Sequence, residues 1–117
     1  MNYLFDSRVR NYKSLQERRV VFRFGVTYET PLEKLKKIPS LVKAIFESIK
    51  RVRLDRVHFA QLGDFGLNFE VVYFVLTGDY NVYMSVQQEI NLLLVEALGK
   101  EEIDFAYPTQ SIYVQNA

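Results

Sequence analysis

Period-2 alternation in some segments, helical spacing in two others, and the order in which they come predict an α+β domain. The expected form is a ferredoxin-like βαββαβ antiparallel sheet with two helices on one face, plus a C-terminal extension strand. Right-handed crossovers put both helices on the same side of such a sheet. The arrangement is shared by many unrelated activities, so function has to be sought in particular residues.

The first strand signal opens at Arg19. Val20, Phe22, Phe24, Val26 and Tyr28 alternate with Arg19, Val21, Arg23, Gly25 and Thr27. Both registers carry β-branched or aromatic residues, which predicts a strand inside a sheet. Thr30-Pro31-Leu32-Glu33 marks a helix start, with Thr30 as cap, Pro31 in the first helical position and Glu33 completing a capping box. Leu35, Ile38, Val42, Ile45, Phe46 and Ile49 follow at helical spacing. Pro39 lacks the N–H of a helix interior, so a short first turn, a kink and a main helix over 39–50 are expected.

A second strand is expected over 54–62, a turn at Gly63-Asp64-Phe65-Gly66, and a third strand over 67–77 rich in Val, Tyr and Phe. Asp79 can cap the next helix, whose Val82, Tyr83, Val86, Ile90, Leu93, Leu94, Ala97 and Leu98 form a broad apolar stripe. Gly99 is placed to stop it. A short fourth strand over 103–107 ends at Pro108, and 111–114 is one more extended piece.

A chain of 117 residues, 49% hydrophobic and 25% charged, has the length and composition of one globular domain with a real core. Cysteine is absent, which removes disulfides and thiolate metal sites. No run approaches the roughly 20 apolar residues of a membrane-spanning helix, and residues 1–10 lack the apolar core of a signal peptide. This segment is therefore expected to be soluble. The net charge of +1 hides two unequal halves. Residues 1–56 carry 14 Lys+Arg against 6 Asp+Glu, a balance of +8, and residues 57–117 carry 1 against 8, a balance of −7. The plain reading is that the halves interleave in the fold and neutralise one another.

Nothing in the sequence builds a catalytic centre. His58 is the only histidine, and a lone histidine on a strand supports neither a triad nor a metal cluster. Glu101, Glu102 and Asp104 lack the spacing of a calcium loop and read as a solvated turn. Gly63–Gly66 is followed by neither Lys-Ser/Thr nor a helix, so it is no phosphate loop. Neither an enzyme, nor a cofactor, nor a metal is expected. RNA-recognition modules share the element order, but the third strand here has no basic residue and carries Glu70, which repels phosphate.

Three stretches, read in order, resemble the C-terminal cytoplasmic α/β region of the small-conductance mechanosensitive (MscS) channel family. The first is Val9-Arg10-Asn11-Tyr12 with Glu17-Arg18-Arg19 and then Phe24-Gly25-Val26-Thr27-Tyr28-Glu29-Thr30-Pro31. The second is Leu62-Gly63-Asp64, the following strand, and Asp79-Tyr80. The third is Phe105-Ala106-Tyr107-Pro108-Thr109-Gln110-Ser111-Ile112-Tyr113-Val114. The resemblance implies residues 1–16 as a remnant of a preceding β domain or linker, 17–107 as the α/β domain, and 108–117 as an oligomerisation strand.

It also implies a homo-oligomer, with a heptamer as family precedent, that opens under bilayer tension and releases ions and osmolytes. The chain would contribute the wall of a hollow cage below the pore, on the cytoplasmic face of the cell (inner) membrane. Membrane helices lying upstream in a longer protein would anchor it. Carried over residue by residue, Pro108 is the turn into, and Ser111, Ile112, Tyr113 and Val114 are, the strand that gathers with its copies into a small barrel. Such a strand would otherwise be an exposed edge. The isolated segment is expected to be a monomer or a weak oligomer. Two other readings stay open: a stand-alone ferredoxin-like regulatory or small-molecule-binding domain, and an RNA-binding module, although no nucleic acid is expected.

Overall fold

The computed structural model describes residues 17–107. Five elements follow in order: β1 (Arg18–Val26), α1 (Leu32–Glu47), β2 (Val52–Leu62), β3 (Leu67–Val75) and α2 (Tyr80–Lys100). The three strands form one antiparallel sheet in the order β1-β3-β2, and both helices pack on the same side of it. The central strand is β3, and β1 has β3 on one side and a single bridge to Phe105 on the other. The fourth strand expected over 103–107 contracts to one bridge, Val26 to Phe105, with Thr27 N donating to Asp104 O (3.1 Å) and Ala106 N to Gly25 O (2.9 Å). This bridge lies on the outer edge of β1, where a ferredoxin-like sheet carries its last strand.

Alternation along β3 divides the sheet. Leu67, Phe69, Val71, Tyr73 and Val75 face the helices and are buried, which makes β3 the spine of the core. Helix α1 adds Ile38, Val42, Ile45 and Phe46, and α2 adds Val86, Ile90, Leu94 and Leu98. Tyr73, fully buried, donates its hydroxyl to Gln87 Oε1 of α2 at 2.6 Å. Burial, with the neighbouring Tyr83 adding to it, pushes its phenol well above the ordinary tyrosine value of 10.0.

Pro39 does not divide α1, which runs unbroken through it. An interior proline costs about 3 kcal/mol, whereas four buried apolar side chains contribute about 1.5–3 kcal/mol each. Packing outweighs the missing hydrogen bond. The expected capping box does not form: Pro31 itself is the extended N-cap, and its carbonyl accepts from Lys34 N and Leu35 N. Asp79 does cap α2, accepting from Asn81 N at 2.9 Å and Val82 N at 3.5 Å.

Gly99 does not stop α2. The left-handed residue is Glu102, at φ 59°. Ile103 N bonds Leu98 O and Glu102 N bonds Gly99 O, a Schellman ending with Ile103 and Leu98 both buried in the core. The helix ends on a non-glycine residue in the left-handed position.

Candidate functional site

The sheet face turned away from the helices is built in rows by the strand register. Arg19, Phe74 and Arg53 make one row, Val21, Val72 and Arg56 the next, then Arg23, Glu70 and His58, and finally Gly25, Asn68 and Gln61. A bulge between Leu54 and Arg56 turns Arg56 onto this face. The centre is apolar: Val72 is fully buried, and the Arg53 guanidinium lies 4.4 Å from the Phe74 ring centroid. Arginines frame it on both sides. Arg23 pairs with Glu70 at 3.0 Å, Arg53 with Glu17 at 2.9 Å and Arg56 with Asp55 at 2.8 Å. Among the described residues no helix or strand covers this face.

At one end of the helix side, four phenylalanines cross the whole sheet. Phe105 meets Phe24 edge-on at 6.3 Å, Phe24 stacks on Phe69 at 5.4 Å, and Phe69 stacks on Phe59 at 5.2 Å. Gly66 permits this closing corner. A Cβ there would collide with Ala106 Cβ and stand 2.7 Å from Val26 O. The Tyr28 hydroxyl donates to Gly63 O in the same corner.

The outer faces of the two helices differ in kind. Glu33, Lys36, Lys37, Lys43 and Glu47 are exposed on α1, the usual solvated face. On α2 the side opposite the core reads Asn81, Met84, Ser85, Gln88, Leu92, Val95 and Gly99, without a charge. Leu92 is 62% and Val95 58% exposed. This second stripe runs through the sequence at the same helical spacing as the buried one.

The other candidates do not converge. His58 is exposed on β2, and Glu70 opposite it is held by Arg23. Glu101 pairs with Lys37 at 3.3 Å, and Glu102 reaches Lys34 at 4.0 Å, so the acidic turn is met by basic α1. The basic and acidic halves thus interleave, pairing α1 with 101–102 and β1 with β3. Among the described residues no cluster of three His, Cys, Asp or Glu side chains could hold a metal, and no helix is long and apolar enough to cross a membrane. Pro108, Ser111, Ile112, Tyr113 and Val114 lie outside the described residues.

Residues 20–105 match the family model described as the C-terminal part of the mechanosensitive ion channel MscS. The chain belongs to the MscS family. Its matched segment is the C-terminal domain of that family, one of channels and not of enzymes. Among curated relatives, the small-conductance mechanosensitive channel MscMJ of Methanocaldococcus jannaschii is 38% identical over 113 residues, covering 96% of this chain and 32% of the relative. The low conductance mechanosensitive channel YnaI of Escherichia coli is 30% identical, covering 98% and 34%.

This MscS-family chain therefore spans about a third of the length of the curated relatives it matches. Arabidopsis thaliana MSL1 A320V superposes with a TM-score of 0.69 at 14% identity, covering 80% of this chain and 36% of that one. Helicobacter pylori MscS in its closed state gives 0.59 at 18% identity, covering 79% and 36%. At those identities the likeness establishes the fold, the α+β sheet with two helices that the sequence predicts.

Proposed function

We propose that this chain is the cytoplasmic cage domain of an MscS-type mechanosensitive channel, contributing to assembly and to the vestibule below an ion- and osmolyte-releasing pore. The observation that carries the reading is the family match over residues 20–105, together with relatives named as mechanosensitive channels. The partner is the chain itself, in a homo-oligomer with a heptamer as precedent, held at the cytoplasmic face of the cell membrane by helices outside this sequence. Residues 1–16 lead in from a preceding β domain, and Pro108 with Ser111, Ile112, Tyr113 and Val114 forms the closing strand of the ring.

One feature supports a structural role: the Val26–Phe105 bridge ties the segment after α2 to the outer edge of β1. The test replaces the corresponding third of MscMJ with this chain and records pressure-activated currents from membrane patches. Conductance retained by the chimaera, and lost when the chain is cut before β1, is the expected result. A chimaera that reaches the membrane as a stable ring yet passes no tension-gated current would overturn the reading.

A further inference from the structure

Helix α2 meets the sheet through a stripe that repeats every four residues. Val86, Ile90, Leu94 and Leu98 fill four buried places, and Val82, one step earlier, is aliphatic too. Such a ladder does not by itself say which turn belongs where. Moved by four residues towards its C-terminus, a shift of about 6 Å, the helix would put Val82, Val86, Ile90 and Leu94 into the same places. The two sets differ by a single methylene, about fourfold in an equilibrium. The opposite slip is closed, because it would bring the charge of Glu102 into the buried place of Leu98.

One polar contact tells the turns apart. Tyr73 on the central strand is fully buried, and its hydroxyl donates to Gln87 Oε1 at 2.6 Å. Gln87 Nε2 in turn donates to Asn91 Oδ1 at 2.9 Å, which orients the amide. We propose that the Tyr73–Gln87 contact is a register lock, setting the position of α2 along the sheet and hence where the segment after it reaches β1. In the slipped helix Tyr83 would stand in the place of Gln87, and its rigid phenol, longer than a glutamine side chain, would overrun the Tyr73 hydroxyl instead of accepting from it. A buried hydroxyl left without a partner costs about fivefold to a hundredfold in population, against about fourfold from the stripe. Apolar burial holds the helix down, and the hydrogen bond chooses the turn, as a single buried polar group does in a coiled-coil seam.

The lock acts beyond its own surroundings. Helix α2 runs in the direction of β1, since Arg18 lies 5.3 Å from the Tyr83 ring centroid near one end and Val26 bridges to Phe105 at the other. A slip would carry the turn at Glu102 about 6 Å onward. Asp104 and Ala106 would then overshoot Thr27 and Gly25, whose backbone they bond. The lock belongs to the packing of this domain, so it stands or falls apart from the channel reading.

The chain has no cysteine, so Leu62→Cys and Met84→Cys, both exposed, supply the only spin-label sites, one at the end of β2 and one near the start of α2. Double electron–electron resonance on the 117-residue chain is expected to give one narrow distance. Adding Tyr73→Phe with Gln87→Leu replaces both partners by apolar groups of similar size, so helix content and Tm should change little. A second distance, shorter by up to about 6 Å, should then appear in about a fifth of the molecules, the share that a fourfold preference leaves. The Ala106 amide should exchange with solvent several-fold faster. Gln87→Met in place of Gln87→Leu guards against misfit of the branched side chain. Val57→Ala, a core truncation on β2, should lower stability yet keep the distance single. One unchanged distance without the lock would mean that the helix ends hold the register, and would overturn the proposal. So would a second distance in Val57→Ala, or failure of both lock variants to fold, which would make the contact a support of stability and not of register.

Discussion

Replacing Gly66 by alanine tests the corner where the closing segment docks. The added methyl would collide with Ala106 Cβ and lie 2.7 Å from Val26 O. The second neighbour is backbone inside the β1–β3 pairing, so it cannot swing aside as a side-chain end could. Overpacking of this kind costs about 1–3 kcal/mol. If residues 104–107 yield instead, the hydrogen bonds Thr27 N–Asp104 O and Ala106 N–Gly25 O go with them, at about 0.5–1.5 kcal/mol each. Both routes lead to a loss of about 2 kcal/mol, and for a domain this size a Tm lower by about 10 °C.

Urea unfolding followed by circular dichroism measures the change. Gly66→Ala with Ala106→Gly removes the methyl-to-methyl collision but not the one with Val26 O, so about half the loss should return. Gly25→Ala is the control: its Cβ would stand 2.9 Å from Asn68 Oδ1, the end of a side chain that can rotate, and should cost less than about 1 kcal/mol. A Gly66→Ala variant within about 0.5 kcal/mol of the parent, or a pair with no recovery, would refute the account of this corner.

Three further outcomes are expected. Gly99→Ala should stabilise the dilute chain by about 0.5–1 kcal/mol, read as a higher Tm, because the position is helical and open. Asp79→Ala should cost about 1 kcal/mol in urea unfolding through loss of the α2 cap. Tyr73 binds its proton more tightly folded than unfolded, so the unfolded chain releases it first as pH rises above 10 and stability falls by up to about 1.4 kcal/mol per pH unit. Tyr73→Phe should flatten that alkaline slope in pH-dependent melts, and an unchanged slope would contradict the burial argument.

The strands and the spine of the core were legible because alternation reports burial directly: Phe69, Val71 and Tyr73 read as they pack. The ends of elements were not. Pro39 announces a break by its own chemistry, and only the packing of Ile38, Val42, Ile45 and Phe46, a sum over distant partners, overrides it. Gly99 is the residue type that stops helices, yet the left-handed turn falls three residues further on at Glu102, where burial of Ile103 in the core takes the chain out of the helix. β1 carries apolar residues in both registers because one set serves the core and Val21 faces the opposite side. Of the candidate surfaces, the arginine frame depends on cross-strand register and on the bulge at Arg56, which no local pattern encodes.

The way the closing segment is fastened has a mechanical meaning. It is held to β1 by two backbone hydrogen bonds flanking one bridge, while β1 and β3 share a register nine residues long. A pull on the chain beyond Tyr107 meets the short attachment first and can undo it one bond at a time, like a zip. The long ladder would have to slide all its bonds together. Force applied there would therefore be taken up at the strap before the β1–β3 ladder is strained.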